Sequence, residues 1–529
     1  MLQLKTQTAE FWLERFQVGD EDAEYLREHV LDLGRPQTTN ELGQALVAWR
    51  CEQEEAKIRA ELSRGMVYQP RQKYKVGEEL LFTALDFAIG TVKGVREGNN
   101  PEYGSFQVIQ VEFPGQKEPR EFASGLQAPH KLNWDNGEGP FLADLKAPST
   151  LYEAYGHRVS QAMEKWLRDP ASGFVRLGDQ WVLKDMLAEV HLGHLNIAEA
   201  FLEVQGAPAT AAEILPSLEL PEGIAPDIRL LSVEHALRQD ERFVDVGTAQ
   251  ESRWYLKRLM PAGAVEPPPR FLTEVPTCDR SVLPGELLAL ELEIDDENGL
   301  AEVLGAVNLG FLDQATITLN YLHWRLGTLP LTKKTRPLFP HGTTQRTMVR
   351  LVDERSGDEM PAWVVHEHKY VFGLEEWYRQ HEIPVGALIT LKRTEDPLAL
   401  IVSYQPRRMK RLWVRVAQVE GGRLTFSMLK QPIACDYDDL MTIWAADPQA
   451  VDKVWAAYEE RGTPLSELVR EIFPELAKLS PEGTVHAKTL YSAINLVRRC
   501  PPGPLFVELV TNPAFRDAGN GFWTFERAD

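Results

Sequence analysis

The chain has 529 residues, of which 43% are hydrophobic and 26% charged, and its formal net charge is −21. Because a single hydrophobic core stops growing at about 250–300 residues, this length predicts several domains, and the ordinary composition argues against long disorder. The negative charge argues against a protein coated all over with phosphate-binding groups, although a local basic face can still bind nucleic acid.

Residues 1–66 predict two helices. Apolar residues recur at helical spacing from Phe11 to Leu31, and the segment Gly34 to Pro36 marks a break. A second helix is predicted from about Thr39 to Arg64, with Thr38, Thr39 or Asn40 as its cap and Glu41 in the first turn. We expect a helical hairpin that packs on the rest of the chain.

Residues 67–130 predict a small β-barrel. Three strands, Lys75–Phe82, Ile89–Arg96 and Ser105–Phe113, are separated by turn residues. The order Val-Gly-Glu, two apolar residues and Phe, followed by Gly-x-Val, resembles the opening of Tudor-like and KOW-like barrels. The resemblance implies a module that binds nucleic acid, peptides or a neighbouring domain.

Residues 148–262 predict a helical region that ends in a ribbon. Helices are expected over Tyr152–Leu167, Leu183–Val190, Leu195–Val204 and Ile228–Leu237, and Thr210 precedes Glu213 at capping-box spacing. Two strands then follow, Arg242–Val246 and Arg253–Leu256.

Three helices followed by a two-stranded ribbon are the order of a winged helix-turn-helix. Residues 195–262 resemble the HARE-type winged helices in their last strands, through Asp240, Arg242, Phe243, Val246, Trp254 and Leu256. The resemblance implies a third helix that enters the major groove of DNA and a wing that contacts the backbone.

Residues 263–303 are interpreted as a linker. They contain three consecutive prolines and then an acidic patch, which is interpreted as a solvated face. The patch consists of Glu286, Glu291, Glu293, Asp295, Asp296 and Glu297.

Residues 304–440 predict a β-rich domain. Strands are expected at Thr316–Leu322, Arg346–Val352, Ala362–Tyr370, Ala387–Leu391, Ala399–Ser403 and Leu412–Val419, with one short helix at Leu374–His381. The stretch 304–430 resembles the DNA-binding pseudobarrel of plant transcription factors and restriction-enzyme effector domains. That resemblance rests on Leu351, Trp363, Gly373, Trp377, Tyr378, Gly386 and Ile389.

Residues 441–529 predict a second winged helix. Helices are expected over Val451–Glu460, Pro464–Leu479 and Ala487–Arg499, with a short helical turn at Phe506–Val510. Phe515 and Asp517 precede Trp523 as Phe243 and Asp245 precede Trp254, so the segment 450–529 resembles a diverged HARE-type copy.

Both winged helices contain candidate DNA contacts, because Lys and Arg bind phosphates whereas Asn, Arg and His can read bases. In the first copy the expected exposed residues are Arg229, Ser232, His235 and Arg238, with Arg253 and Lys257 from the wing. In the second they are His486, Lys488, Asn495, Arg498, Arg499 and Arg516. The alternative is that these modules bind protein or pack internally.

The densest basic run lies between residues 401 and 430, where seven Lys or Arg accompany one acid, Glu420. Tyr404 and Trp413 lie among the basic residues, an arrangement that suits stacking on bases. The candidate contacts are Arg407, Arg408, Lys410, Arg411, Trp413 and Arg415. The alternative is an edge strand whose charges discourage aggregation.

One enzyme signal competes with binding. Asp358, Glu367 and Lys369 resemble the Asp-x(n)-Glu-x-Lys signature of metal-dependent restriction endonucleases, in which carboxylates hold Mg²⁺ and the lysine orients the attacking water. His366 and His368 form a pair that could ligate a metal, although no third ligand follows at suitable spacing. Phosphate-binding loops and the Gly-x-Ser-x-Gly elbow are absent from the sequence.

The start of the chain lacks the apolar stretch of a signal peptide, no run of about 20 apolar residues could span a membrane, and four scattered cysteines indicate no disulfide scaffold. We therefore expect a cytoplasmic α+β multidomain protein of winged helices and small β-barrel domains. It is expected to bind double-stranded DNA without turnover and without a cofactor. A protein–protein scaffold and a nuclease are the alternatives.

Overall fold

The computed structural model describes residues 4–116, 118–134, 145–304, 312–342 and 344–526. The chain divides into two compact units, Met1–His191 with Glu219–His235, and Leu192–Leu218 with Ala236–Asp529. Helices and several sheets occur in both, which confirms the α+β multidomain class. Within the described ranges, no helix has both the length and the apolar character needed to cross a membrane.

The first elements are α1 (Asp20–Leu33), β1 (Gln37–Thr38) and α2 (Thr39–Leu62). Thr38 caps α2 as predicted: its hydroxyl accepts from the Glu41 backbone N–H at 3.2 Å, and the Glu41 carboxylate accepts from the Thr38 N–H at 2.8 Å. This reciprocal pair satisfies two backbone donors that the first turn would otherwise leave open, and it sets where α2 begins.

Five short strands follow α2: β2 (Met66–Val67), β3 (Glu79–Phe82), β4 (Ala88–Glu97), β5 (Gln107–Glu112) and β6 (Arg120–Ser124). They pair in chain order, and only β2 and β3 run parallel. The three predicted strands are confirmed. The described residues show no pairing between β2 and β6, so the strands form a half-barrel in this part of the chain.

The chain then forms α3 (Pro148–Leu167), β7 (Phe174–Leu177) and β8 (Gln180–Leu183). Strand β1 pairs with β8, and one core joins Trp12 and Leu42 to Val159 and Trp181. Residues 1–66 and 148–183 therefore share a core, although the predicted domain boundaries separate them. The helix predicted over Leu183–Val190 is wrong, because Leu183 ends a strand and only the single turn Lys184–Met186 follows.

The predicted helices and ribbon are confirmed in the next segment, as α4 (Leu192–Gln205), α5 (Ala211–Ile214), α6 (Pro226–Gln239), β9 (Phe243–Asp245) and β10 (Trp254–Leu256). Strands β9 and β10 pair antiparallel, and Ala209 forms a further bridge to Trp254. Thr210 caps α5 in a capping box with Glu213, as its spacing predicts.

The linker interpretation of residues 263–303 is wrong. The segment forms α7 (Ala262–Val265), α8 (Gly285–Ile294) and α9 (Leu300–Val303). Glu291, Asp296 and Glu297 expose only 1%, 8% and 2% of their surface, so they are not a solvated face. Burial is possible because each has a partner, Glu291 with Arg280 at 2.9 Å for example.

Seven strands then form one sheet, in the order β11-β16-β17-β13-β14-β15-β12. Its strands are β11 (Gln314–Thr318), β12 (Thr328–Pro330), β13 (Arg346–Asp353), β14 (Glu359–Val365), β15 (Tyr370–Phe372), β16 (Leu388–Arg393) and β17 (Ala399–Tyr404). Two helices interrupt them, α10 (Tyr321–Leu326) and α11 (Glu375–Gln380). The predicted strand Thr316–Leu322 is shorter than expected, and a turn at residues 366–369 divides Ala362–Tyr370.

A long hairpin leaves this sheet. It consists of β18 (Pro406–Glu420) and β19 (Arg423–Cys435), and β20 (Ile443–Ala445) pairs with β18 on its other side. Gly421 and Gly422 connect the two long strands with φ angles of +57° and +78°. Two consecutive positive φ values match the twist of the strands and are accessible to glycine without strain.

The C-terminal elements are α12 (Pro448–Glu460), α13 (Leu465–Ala477), β21 (Val485–His486), α14 (Ala487–Ile494), α15 (Pro502–Thr511), β22 (Phe515–Gly519) and β23 (Phe522–Phe525). Helix α14 ends five residues before Arg499, and α15 is a full helix and not a short turn. The helix that directly precedes the ribbon is therefore α15, whereas the sequence analysis assigned that place to Ala487–Arg499.

One order of elements recurs three times: helix, short strand, helix, helix and hairpin. The copies are α1 to α3 with β1, β7 and β8; α4 to α6 with Ala209, β9 and β10; and α13 to α15 with β21 to β23. In each copy a tryptophan on the last strand lies opposite the short strand, as Trp181 with Gln37, Trp254 with Ala209 and Trp523 with Val485. The sequence analysis found two of these copies and missed the first, which the half-barrel interrupts.

Candidate nucleic-acid interface

The basic run of the sequence forms the exposed start of the β18–β19 hairpin. Residues 405–411 are all exposed. Three large apolar side chains are also exposed on the hairpin: Met409 (58%), Trp413 (59%) and Leu429 (40%). Leu429 pairs with Val414 on the core side of the hairpin, so Met409 and Trp413 are the exposed apolar side chains that accompany the basic run.

Successive side chains along β18 alternate between two faces, one toward the core and one toward solvent. Val414 and Val416 are buried with the core of the seven-stranded sheet, whereas Arg411 and Trp413 point to the opposite side. Trp413 lies directly opposite Lys430 and Arg411 directly opposite Pro432, so all four share one face. The Lys430 ammonium is 5.3 Å from the centre of the Trp413 ring, a cation–π distance.

The cations of this hairpin differ in how they are neutralised. Arg407 forms an ion pair with Asp436, and Arg415 donates to the backbone oxygen of Asp439 at 2.7 Å. Arg408, Lys410 and Arg411 have no ion pair with any residue in the described ranges. Together with Lys430 and Trp413 they define what we call the basic ribbon: four cations on the same hairpin as an exposed indole.

The sequence analysis missed Lys430, although a local signal for it exists. A two-residue Gly-Gly turn at 421–422 fixes the register of the hairpin, and counting outward from that turn places Lys430 opposite Trp413. Recognition of the turn would therefore have completed the set of cations.

The DNA contacts predicted within residues 195–262, the α4–β10 copy, are less available. Arg229 is half-buried, and Ile228 and Leu231 of the same helix pack against β7 and β8. Ser232 is buried and donates to the Ile228 carbonyl at 2.6 Å, so the expectation that it is exposed is wrong.

Most of the arginines around the β9–β10 hairpin of this copy form ion pairs with nearby carboxylates. Arg253 pairs with Glu251 at 2.9 Å, and Arg242 pairs with Asp240 and Glu199, whose hydrogen bonds outweigh desolvation and raise its pKa. Arg238 is exposed, with its guanidinium 5.8 Å from the Trp254 ring centre. Lys257 is exposed as well. Only these last two remain as candidate phosphate contacts here.

The predicted contacts of the C-terminal copy are structural. Asn495 is buried and donates to the backbone oxygens of Tyr491 and Cys500, and Arg498 pairs with Glu459 at 2.8 Å. The expectation that these side chains are exposed is wrong, since each fills a hydrogen-bonded place inside the module.

Lys488, Arg499 and His486 follow the same pattern, whereas Arg516 is exposed as predicted but forms an ion pair. Lys488 is buried between Glu293 at 2.5 Å and Asp438 at 2.6 Å; desolvation lowers its pKa, but these hydrogen bonds outweigh it and raise the value. Arg499 pairs with Glu297 at 2.9 Å, and Arg516 with Glu526 at 2.6 Å. His486 is buried at the start of α14, where its ring accepts from the Lys488 N–H.

Helix α15, which occupies the place of a DNA-reading helix in this copy, carries no Lys or Arg. Pro502 to Phe506 are buried, and the helix packs beside α8. Gly503 lies so close to the Arg280–Glu291 pair that an added Cβ would meet their side-chain atoms at 2.8–2.9 Å. This face is filled by the protein itself and offers no surface to a major groove.

The nuclease interpretation fails on geometry. Glu367 and Lys369 lie in the turn before β15 and not on a strand, so alternation does not place them on one face. The Lys369 ammonium donates to the Glu297 backbone oxygen at 3.0 Å. Asp358 lies just before β14 and Glu367 just after it, and a seven-residue strand separates its ends by about 20 Å.

Metal binding has no other support in the described ranges, where no three His, Cys, Asp or Glu side chains are placed to hold an ion. Comparisons of the whole chain with protein-family models, curated proteins and solved structures found no match. The basic ribbon is therefore the surface from which a function is inferred.

Proposed function

We propose that the protein binds double-stranded DNA through the basic ribbon, without turnover and without a cofactor. One observation carries the proposal: Arg408, Lys410, Arg411 and Lys430 lie on the same exposed hairpin as Trp413, with Lys430 over its ring, on a chain whose net charge is −21. In an acidic chain most exposed cations are expected to pair with nearby carboxylates. A cluster of unpaired cations beside an exposed indole matches the chemistry of phosphate contact and base or sugar stacking.

We assign supporting roles to the other modules. The three recurrent segments are proposed to be winged helix-turn-helix domains of the HARE type, of which the α4–β10 copy would add phosphate contacts from Arg238 and Lys257. The covered helix α15 favours a purely structural role for the C-terminal copy. Residues 67–130 are proposed as a Tudor-like or KOW-like barrel and residues 304–440 as the pseudobarrel that positions the ribbon, in a protein that acts in the cytoplasm.

The test is a titration of a labelled random duplex with the full-length protein, followed by fluorescence anisotropy at low salt. The ribbon variant combines Arg408→Ala with Arg411→Ala. Both side chains are exposed and unpaired in the described structure, so their loss should leave the fold unchanged and weaken binding at least tenfold.

A matched control removes the same charge elsewhere. The control variant combines Arg64→Ala with Arg168→Ala. Both arginines are exposed, and each pairs with a glutamate three or four residues earlier in the chain. The control should bind DNA as the wild type does. Equal weakening of both variants would indicate a general charge effect, and no binding by the wild type would leave the protein–protein scaffold as the better proposal.

A further inference from the structure

A second concave site lies beside the hairpin, in the same compact unit. It is a cavity of about 430 Å³ walled by Trp324, Tyr378, Ile383, Pro432, Trp444 and Pro448. Pro432 belongs to β19, while Trp324 and Tyr378 come from α10 and α11. The volume is sufficient for one long side chain or a small molecule.

The polar edges of two aromatic walls are already occupied. The Trp324 indole N–H donates to the Ile383 carbonyl at 2.8 Å, and the Tyr378 hydroxyl donates to the Thr328 carbonyl at 2.8 Å. These bonds hold the rings in place and leave neither polar group for a ligand. What the rings can offer an occupant is therefore apolar and π surface.

The charges around the cavity do not cancel. Arg325 shares the Asp452 carboxylate with the buried Arg270, each at 2.7 Å, and Arg379 pairs with Glu376. Glu375 and Glu382 also line the cavity, and neither carboxylate forms a side-chain hydrogen bond or ion pair with the described residues. Two carboxylates thus remain uncompensated beside an aromatic surface.

The backbone at Glu382 adds an independent observation. Its φ angle is +50°, a left-handed conformation just past the end of α11. Glycine or asparagine would adopt it more readily, and a residue with a longer side chain costs about 1 kcal/mol there. This left-handed backbone holds the exposed Glu382 at the edge of the cavity that it lines.

We propose that this cavity binds the side chain of an arginine from a basic peptide segment of a partner protein. A planar guanidinium stacks on aromatic rings and donates to carboxylates, so both features of the cavity match it. A phosphate or carboxylate ligand would face the two unpaired glutamates and be repelled. The proposal does not depend on DNA binding, because the basic ribbon takes no part in it.

The test uses Nα-acetyl-arginine amide and its neutral isostere, Nα-acetyl-citrulline amide, in titrations of the full-length protein followed by calorimetry. Arginine amide should bind at least tenfold more tightly than citrulline amide, because the two differ in charge and hardly in shape. Combining Glu375→Gln with Glu382→Gln should abolish that preference. Trp444→Ala should weaken both ligands.

A matched control, Glu367→Gln with Glu395→Gln, removes two exposed carboxylates that do not line the cavity and should keep the preference for arginine. Equal binding of arginine and citrulline amides by the wild type, or binding of neither, would overturn the proposal. So would a preference that survives in the Glu375→Gln, Glu382→Gln variant, because the cation would then be held elsewhere.

Discussion

The number of unpaired cations on the basic ribbon determines how DNA binding should depend on salt. Each phosphate contact on B-DNA contributes a slope of about −0.9 in a plot of log affinity against log salt concentration. If Arg408, Lys410, Arg411 and Lys430 each contact one phosphate, the slope is about −3.6, and affinity falls about 150-fold between about 50 and 200 mM salt.

Removal of two of these cations changes the slope by a defined amount. The Arg408→Ala, Arg411→Ala variant should show a slope of about −1.8, with an affinity loss of only about 12-fold over the same salt range. Anisotropy titrations of a labelled duplex at several salt concentrations measure both slopes. A small inactive fraction of protein shifts every apparent affinity by the same factor, so it does not change the slope.

Two results would refute this reasoning. An unchanged slope in the double variant would mean that the lost side chains do not contact phosphates, even if affinity falls. The supporting contacts Arg238 and Lys257 would bring the wild-type slope to about −5.4, and a slope much steeper than that would mean that cations outside the proposed set carry much of the binding.

Three further predictions concern stability. Thr38→Ala removes the cap of α2 and should cost about 1 kcal/mol in urea unfolding, whereas Thr38→Ser should retain most of it. Lys488→Met leaves the Asp438 carboxylate without its buried partner and should lower the free energy of unfolding by about 2 kcal/mol or more. DNA affinity should stay unchanged. Weaker DNA binding by this variant would instead indicate that Lys488 contacts DNA. Burial, with the nearby Glu297 carboxylate as the second cause, raises the pKa of Asp296 to about 7. Folding therefore favours the protonated form of Asp296, and the free energy of unfolding should fall as the pH rises from about 4 to 7. Asp296→Asn should flatten that fall in urea midpoints measured across this range, and an unchanged pH profile would contradict the assignment.

Local patterns explain the elements that the sequence predicted well. The capping boxes at Thr38 and Thr210, the alternation along β18 and the Gly-Gly turn at 421–422 act between residues close in the chain. Their physics is contained in a short window, so helix starts, strand faces and the exposure of the basic run follow from the residues alone.

Burial of charge was decided by partners far away in the chain. Lys488 looks like any exposed lysine until Glu293, 195 residues earlier, is placed beside it, and Arg499 meets Glu297 across 202 residues. Glu297 of the acidic patch, and Lys488 and Arg499 of the supposed reading helix, were misassigned for this reason, because charges of the two segments neutralise each other. Likewise the first recurrent module is hidden in the sequence, since α2 and α3 pack together although the half-barrel lies between them.

The sequence by itself therefore determined where the capped helices α2 and α5 begin, which strand carries the basic run and that the chain is an α+β multidomain protein. Tertiary structure alone decided which cations remain free to bind a ligand. A charge is available only when no folded neighbour has neutralised it, and those neighbours are brought together by the hydrophobic packing of distant segments and not by their order along the chain.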